Sequence, residues 1–140
     1  MDRSELQFVI VDKIKYPWVN LFYKQFYKKG VASNNESVFV LQFKEIICSA
    51  KVVPIDSYLL LTGVVCHHDY QRQGYATQLL KLVLALQTQP IYCFSYTHLT
   101  PFYNKLGFTL VTKERLPQQV RDKFAIYNKK NRLQLLVKNN

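Results

Sequence analysis

Gln71-Arg72-Gln73-Gly74-Tyr75-Ala76 is the stretch on which the fold of this chain turns. An apolar run, Tyr58 to Cys66, precedes it with the length and residue types of a strand. Ala76 to Leu86 follows, with Ala76, Leu79, Leu80, Val83 and Leu84 at the spacing of one packed helix face. A strand, a short glycine turn and a helix start together make an anion site. The first amides of a helix lack intrahelical acceptors, and the helix dipole adds partial positive charge there. Gly74 lets a ligand come close to the backbone, and Ala76 keeps crowding low. A diphosphate suits such a turn. Arg72 offers it a charge-assisted contact, Gln73 a neutral one and Thr77 a hydroxyl, with Tyr75 inside the same run.

Outward from this centre the chain alternates strand and helix patterns. Leu6 to Val11 reads as a first strand. Tyr16 to Lys28 reads as a helix through Trp18, Leu21, Phe22, Gln25 and Phe26, with Gly30 as its stop and Val31 to Glu36 as a loop. Ser37 to Phe43 and Ile46 to Val53 form a hairpin about Lys44-Glu45, and Pro54 and Asp56 break the run. Downstream, Ile91 to Tyr96 is a short buried strand. Thr100 is an N-cap with Pro101 at the first helical position and Gly107 just past the end. Phe108 to Thr112 is a strand, Pro117 opens a last helix through Val120, Phe124 and Tyr127, and Arg132 to Val137 closes the chain as a strand. The order β-α-β-β-β-α-β-α-β-α-β gives a mixed-sheet α/β domain.

Thr100-Pro101-Phe102-Tyr103-Asn104-Lys105-Leu106-Gly107-Phe108 is the second informative segment. Together the two segments resemble the GNAT family of acetyl-CoA-dependent N-acetyltransferases. Gln71, Gly74 and Ala76 match its Gln/Arg-x-x-Gly-x-Gly/Ala signature; Phe102, Tyr103, Gly107 and Phe108 match its aromatic-Tyr-x-x-x-Gly-Phe turn. Arg72 stands where the family prefers Gly. The resemblance implies one domain over residues 1–140, with a mixed, mostly antiparallel central sheet flanked by helices. It also implies acetyl-CoA as cosubstrate, an amine acceptor and direct transfer in a ternary complex; no metal is expected.

Acetyl transfer to an amine needs a base for the amine, donors for the developing oxyanion and a proton for the departing thiolate. Tyr103 is the candidate for the last task. A phenol near pKa 10 stays protonated where a thiol near 8.5 does not, and its hydroxyl is expected at least half-exposed. By the resemblance, a backbone amide at about Cys66 serves the oxyanion, and Cys66, His67 and His68 pair with the pantetheine arm like an added strand. The base is not legible. Many relatives carry a Glu eleven residues before the Gln, where this chain has Leu60. His67, His68 and His98 are titratable alternatives, and neighbouring residues on a strand face opposite sides, so at most one of His67 and His68 can face the acceptor. The acceptor pocket is expected to draw on Trp18, Phe22 and Tyr23.

Composition bounds these readings. A chain of 140 residues with 49% hydrophobic residues is one domain by length and has enough apolar material for a core. Met1 to Ile10 has no signal-peptide character, and no apolar run of about 18 residues predicts a membrane span. Cys48, Cys66 and Cys93 lie singly in apolar runs; their odd number and lack of C-x-x-C spacing speak against a disulfide framework or a zinc site and for buried reduced thiols in a cytoplasmic protein. The formal charge of +10 favours anionic partners. A coenzyme A-binding module without chemistry is the first competitor, motivated by Leu60. A nucleic-acid binder is the second, motivated by interleaved Lys and Tyr in Tyr23 to Lys29 and Lys123 to Lys130, although no nucleic-acid motif supports it. Oligomeric state is not readable; a homodimer stays open.

Overall fold

The computed structural model describes residues 5–27 and 32–139. Gly30, the expected helix stop, lies outside the described residues, as do Lys28, Lys29 and Val31. Seven strands form one sheet in the order β1-β2-β3-β4-β5-β7-β6. The strands are β1 (Gln7–Ile10), β2 (Ser37–Phe43), β3 (Glu45–Ile55), β4 (Tyr58–Cys66), β5 (Ile91–Tyr96), β6 (Thr109–Leu110) and β7 (Leu133–Lys138); the helices are α1 (Tyr16–Phe26), α2 (Tyr75–Ala85), α3 (Thr100–Asn104) and α4 (Gln118–Asn128). The pairing of β4 with β5 is parallel; β1–β2, β2–β3, β5–β7 and β6–β7 are antiparallel. The chain packs as two compact units, Met1–Val53 with Thr62–Leu86, and Pro54–Leu61 with Gln87–Asn140.

In the first unit, α1 buries Tyr16, Val19, Phe22 and Tyr23 against Val38, Val40 and Ile46. Trp18 and Leu21, expected on the packed side, are 38% and 69% exposed. The buried positions recur at three and four residues from Tyr16, a frame that leaves Trp18 and Leu21 on the outer face. Of the three residues expected to line an acceptor pocket, only Trp18 therefore reaches the surface. Asn20 ties down the following loop by accepting from the Ala32 amide at 2.8 Å. The expected hairpin forms, with Lys44 alone at its corner at φ 62°. Pro54 does not end β3, which runs through it to Ile55; an exposed strand position that donates no ladder bond accepts proline.

In the second unit, β5 alternates strictly. Ile91, Cys93 and Ser95 are buried, while Tyr92, Phe94 and Tyr96 face the other side. Phe94 packs on Phe124 of α4 at 5.2 Å, and Val120 and Phe124 are almost fully buried, worth roughly 1.5–3 kcal/mol each. The N-cap of α3 is Leu99, not Thr100, whose hydroxyl instead donates to Gln134 of β7. Strand β6 is shorter than the sequence suggests, at two residues.

Candidate active site

β4 ends at Cys66, and one 3-10 turn, His68–Tyr70, leads into Gln71. Arg72 and Gly74 then take positive φ values of 62° and 86°, and α2 starts at Tyr75. Gly74 is the N-cap residue, and a Cβ placed there would meet nothing within 4 Å. The space above the turn is therefore open, and only the backbone conformation demands glycine. Gln71, Arg72, Gln73 and Gly74 are exposed, Ala76 and Thr77 are half-buried, and Tyr75 is buried. Two glutamine amides brace the turn from within. Gln71 Nε2 donates to the Cys66 carbonyl at 3.3 Å, and Gln73 Nε2 to the Asp69 carbonyl at 3.2 Å. The amide of Ala76 points at the sulfur of Cys66.

The amide of His67 donates to Ile47 O on β3 at 2.8 Å. Successive amides along a strand face opposite edges, so the Cys66 N–H is turned away from β3. Three residues earlier, Gly63 sits within β4 at φ 61°. Its carbonyl accepts from the Tyr23 hydroxyl at 2.9 Å, which accepts in turn from Ser49 Oγ at 2.8 Å. Burial raises the Tyr23 phenol well above its ordinary value. Beside it, Lys51 is held by Glu36 at 3.2 Å, both side chains nearly buried. The sequence signal for this kink was a glycine inside an apolar strand; nothing local to Glu36 or Lys51 announces their pairing.

Tyr103, in the second unit, is 7% exposed, so the hydroxyl expected at least half-exposed belongs to a buried side chain. Its ring stands edge-on to Phe102 and Phe108 at 5.1 and 5.7 Å. The hydroxyl donates to the Cys93 thiol. Burial pushes that thiol up to about 12, with the Tyr103 hydrogen bond working against it, so Cys93 stays protonated at neutral pH.

A family model described as an acetyltransferase (GNAT) domain matches residues 34–110. The chain belongs to the GNAT family. No curated protein matches it. Among solved structures, the N-acetylglutamate synthase of Neisseria gonorrhoeae complexed with coenzyme A and N-acetyl-glutamate is similar at TM-score 0.73 and 12% identity, over 99% of this chain and 36% of that one. This GNAT chain thus spans about a third of that synthase. The ribosomal-protein-S18-alanine N-acetyltransferase of Escherichia coli gives 0.63 and 14%, over 94% and 90% of the two chains. Rv2747 of Mycobacterium tuberculosis, in complex with CoA and NLQ, gives 0.66 and 13%, over 96% and 99%. At such identities the likeness carries the fold.

Within this GNAT domain the histidines are engaged locally. His67 Nδ1 accepts the Asp69 amide at 3.0 Å, which leaves the proton of the neutral ring on Nε2, 3.8 Å from Glu45. The rings of His67 and His68 both lie on Phe26, at 4.4 and 4.9 Å. The two neighbours therefore share a surface instead of facing opposite ways, because the chain leaves the strand at Cys66. His98 is exposed and stacks on Tyr96 at 5.8 Å. Leu60 is core, opposite Tyr92. Among the described residues no helix is long and apolar enough to cross a membrane.

Proposed function

We propose that this GNAT protein is an N-acetyltransferase that moves an acetyl group from acetyl-CoA to a primary amine by direct transfer in a ternary complex. The observation that carries the proposal is the turn at Gly74, whose open face lies over the start of a helix. Such a start offers amides and partial positive charge to a diphosphate. Acetyl-CoA supplies the acyl group as a thioester. Residues Gln71 to Thr77 hold the diphosphate, and the backbone of Cys66 to His68 pairs with the pantetheine arm. The Cys66 N–H, turned away from β3, donates to the oxyanion. Tyr103 returns a proton to the departing thiolate, its hydroxyl turning from Cys93 to do so. An amine that arrives neutral, or deprotonates through water, needs none of the histidines.

Gly74→Val tests the carrying observation. A β-branched residue is strained at φ 86° and fills the open face, so coenzyme A affinity falls at least about tenfold while the fold persists. Calorimetry on the folded variant reads this, and unchanged affinity removes the turn from the site. A second proposal, coenzyme A binding without catalysis, draws support from the buried Leu60 and Tyr103. Turnover of an amine panel separates the two, and thermal shift with coenzyme A against short oligonucleotides tests the nucleic-acid alternative.

A further inference from the structure

One backbone bond fixes how the end of β4 faces β3, and a side-chain contact further along places the same two strands side by side. His67 N–H bonds to Ile47 O, and the Cβ position of Gly63 lies 2.7 Å from Lys51 Cε. The Ile47–His67 bond sets the local antiparallel register at the end of β4, and one step along it Cys48 stands opposite Cys66. Since 47 and 67 form the hydrogen-bonded pair, Cys48 and Cys66 occupy the adjoining non-hydrogen-bonded position. Side chains stand closest there, with Cα atoms about 4.5 Å apart, inside the roughly 4.4–6.8 Å span of a disulfide. The two thiols are hydrogen-bonded to each other.

The pair is asymmetric. Cys48 is fully buried, whereas Cys66 is half-buried at the strand end. The sulfur of Cys66 receives two donors, the Cys48 thiol and the Ala76 amide at the start of α2. Those donors, the Cys48 bond first, lower the Cys66 pKa against the opposing effect of burial, and the same bond raises that of Cys48. The donors thus favour the thiolate at the accessible sulfur and disfavour it at the buried one, which is the asymmetry an oxidant-reactive thiol requires.

We propose that Cys66 is a modification site for hydroperoxides, with Cys48 as its resolving partner in a cross-strand disulfide. The Cys66 thiolate attacks one peroxide oxygen; the O–O bond breaks, giving Cys66 sulfenic acid and hydroxide, which takes a proton to become water. The Cys48 sulfur then attacks Cys66, expelling the sulfenic oxygen as a second water that carries off the Cys48 proton. Two thiols are oxidised and one peroxide is reduced. The bridge draws the Cys66 sulfur away from the Ala76 amide. If the turn binds coenzyme A as proposed above, oxidation changes that affinity, because the Ala76 amide at the helix start loses its sulfur acceptor.

Excess hydrogen peroxide on the native full chain tests this, with intact mass, peptide mapping and thiol titration as readouts. The wild type should lose two hydrogens and keep one titratable thiol, Cys93. Mapping should show a Cys48–Cys66 link that reductant reverses. Cys48→Ala and Cys48→Ser should accumulate a dimedone-trappable sulfenic acid on Cys66, and Cys66→Ser should yield neither product. Retention of three thiols, over-oxidation of Cys66 without a bridge, or a link through Cys93 each overturns the proposal. Calorimetry with coenzyme A on reduced and oxidised protein is read separately. A bridge in a protein that binds no coenzyme A leaves the thiol pair standing and removes the function proposed for the turn.

Discussion

Tyr103 is asked to pack and to donate at once. Its ring sits among Phe102 and Phe108, and its hydroxyl is on Cys93. Tyr103→Phe keeps the ring and removes the proton. Turnover should fall roughly 10²–10⁴-fold, the usual worth of a general acid, with acetyl-CoA affinity little changed. The lost hydrogen bond to Cys93 should cost about 0.5–1.5 kcal/mol of stability. Cys93→Ala separates the two roles, since it loses the same bond but keeps the phenol proton. Equal loss of turnover in both variants would make the Tyr103 hydroxyl a structural group. Gly63 invites a second comparison. An added Cβ would strain a left-handed backbone at both Gly63 and Gly74, but at Gly63 it also meets Lys51 at 2.7 Å. Gly63→Ala should therefore cost about 1–3 kcal/mol, and more than Gly74→Ala, by denaturant midpoint. Equal costs would mean that the Lys51 chain yields freely. Gly74 and Tyr103 were legible because each sits in a local motif. Gly63 against Lys51, Glu36 with Lys51, and Cys48 with Cys66 were not, because each pair exists only once register brings distant residues together.

At the scale of elements, strands read better than helix faces. β4 and β5 were legible to the residue because glycine, proline and polar residues bound uniform apolar runs. The face of α1 was misread because Trp18 and Leu21 are as apolar as Val19 and Phe22, and periodicity alone leaves the frame open. Thr100 shows the same limit: Thr before Pro reads as an N-cap, yet its hydroxyl bonds Gln134 across to β7. Thr100→Val and Gln134→Leu should each cost about 1–3 kcal/mol, because each leaves a partly buried partner unsatisfied. Together they should cost less than the sum of the two. Strict additivity in this double-mutant cycle would show that the two groups do not depend on each other.

The whole chain's element order was legible because each element is bounded by its own turn chemistry, whereas the buried acids that set its response to alkali were not. The phenol of Tyr23 and the thiol of Cys93 are each raised, by burial first. A raised pKa means the fold holds a proton that the unfolded chain has released. The stabilisation is complete below the unfolded value and is lost as pH rises towards the folded one. For Cys93 the window runs from roughly 8.5, the free thiol, to about 12 in the fold. Within it, wild-type stability should drop by up to about 1.4 kcal/mol per pH unit through this group alone. Cys93→Ala removes that contribution. In reducing buffer the variant should start less stable near pH 7, through lost packing and the lost Tyr103 bond. Its denaturant midpoint should then decline more gently from pH 8.5 upward, so that the two curves converge. Curves that stay parallel to pH 10.5 would show that Cys93 ionises in the fold as it does in the open chain, and that its burial gives way before its proton does.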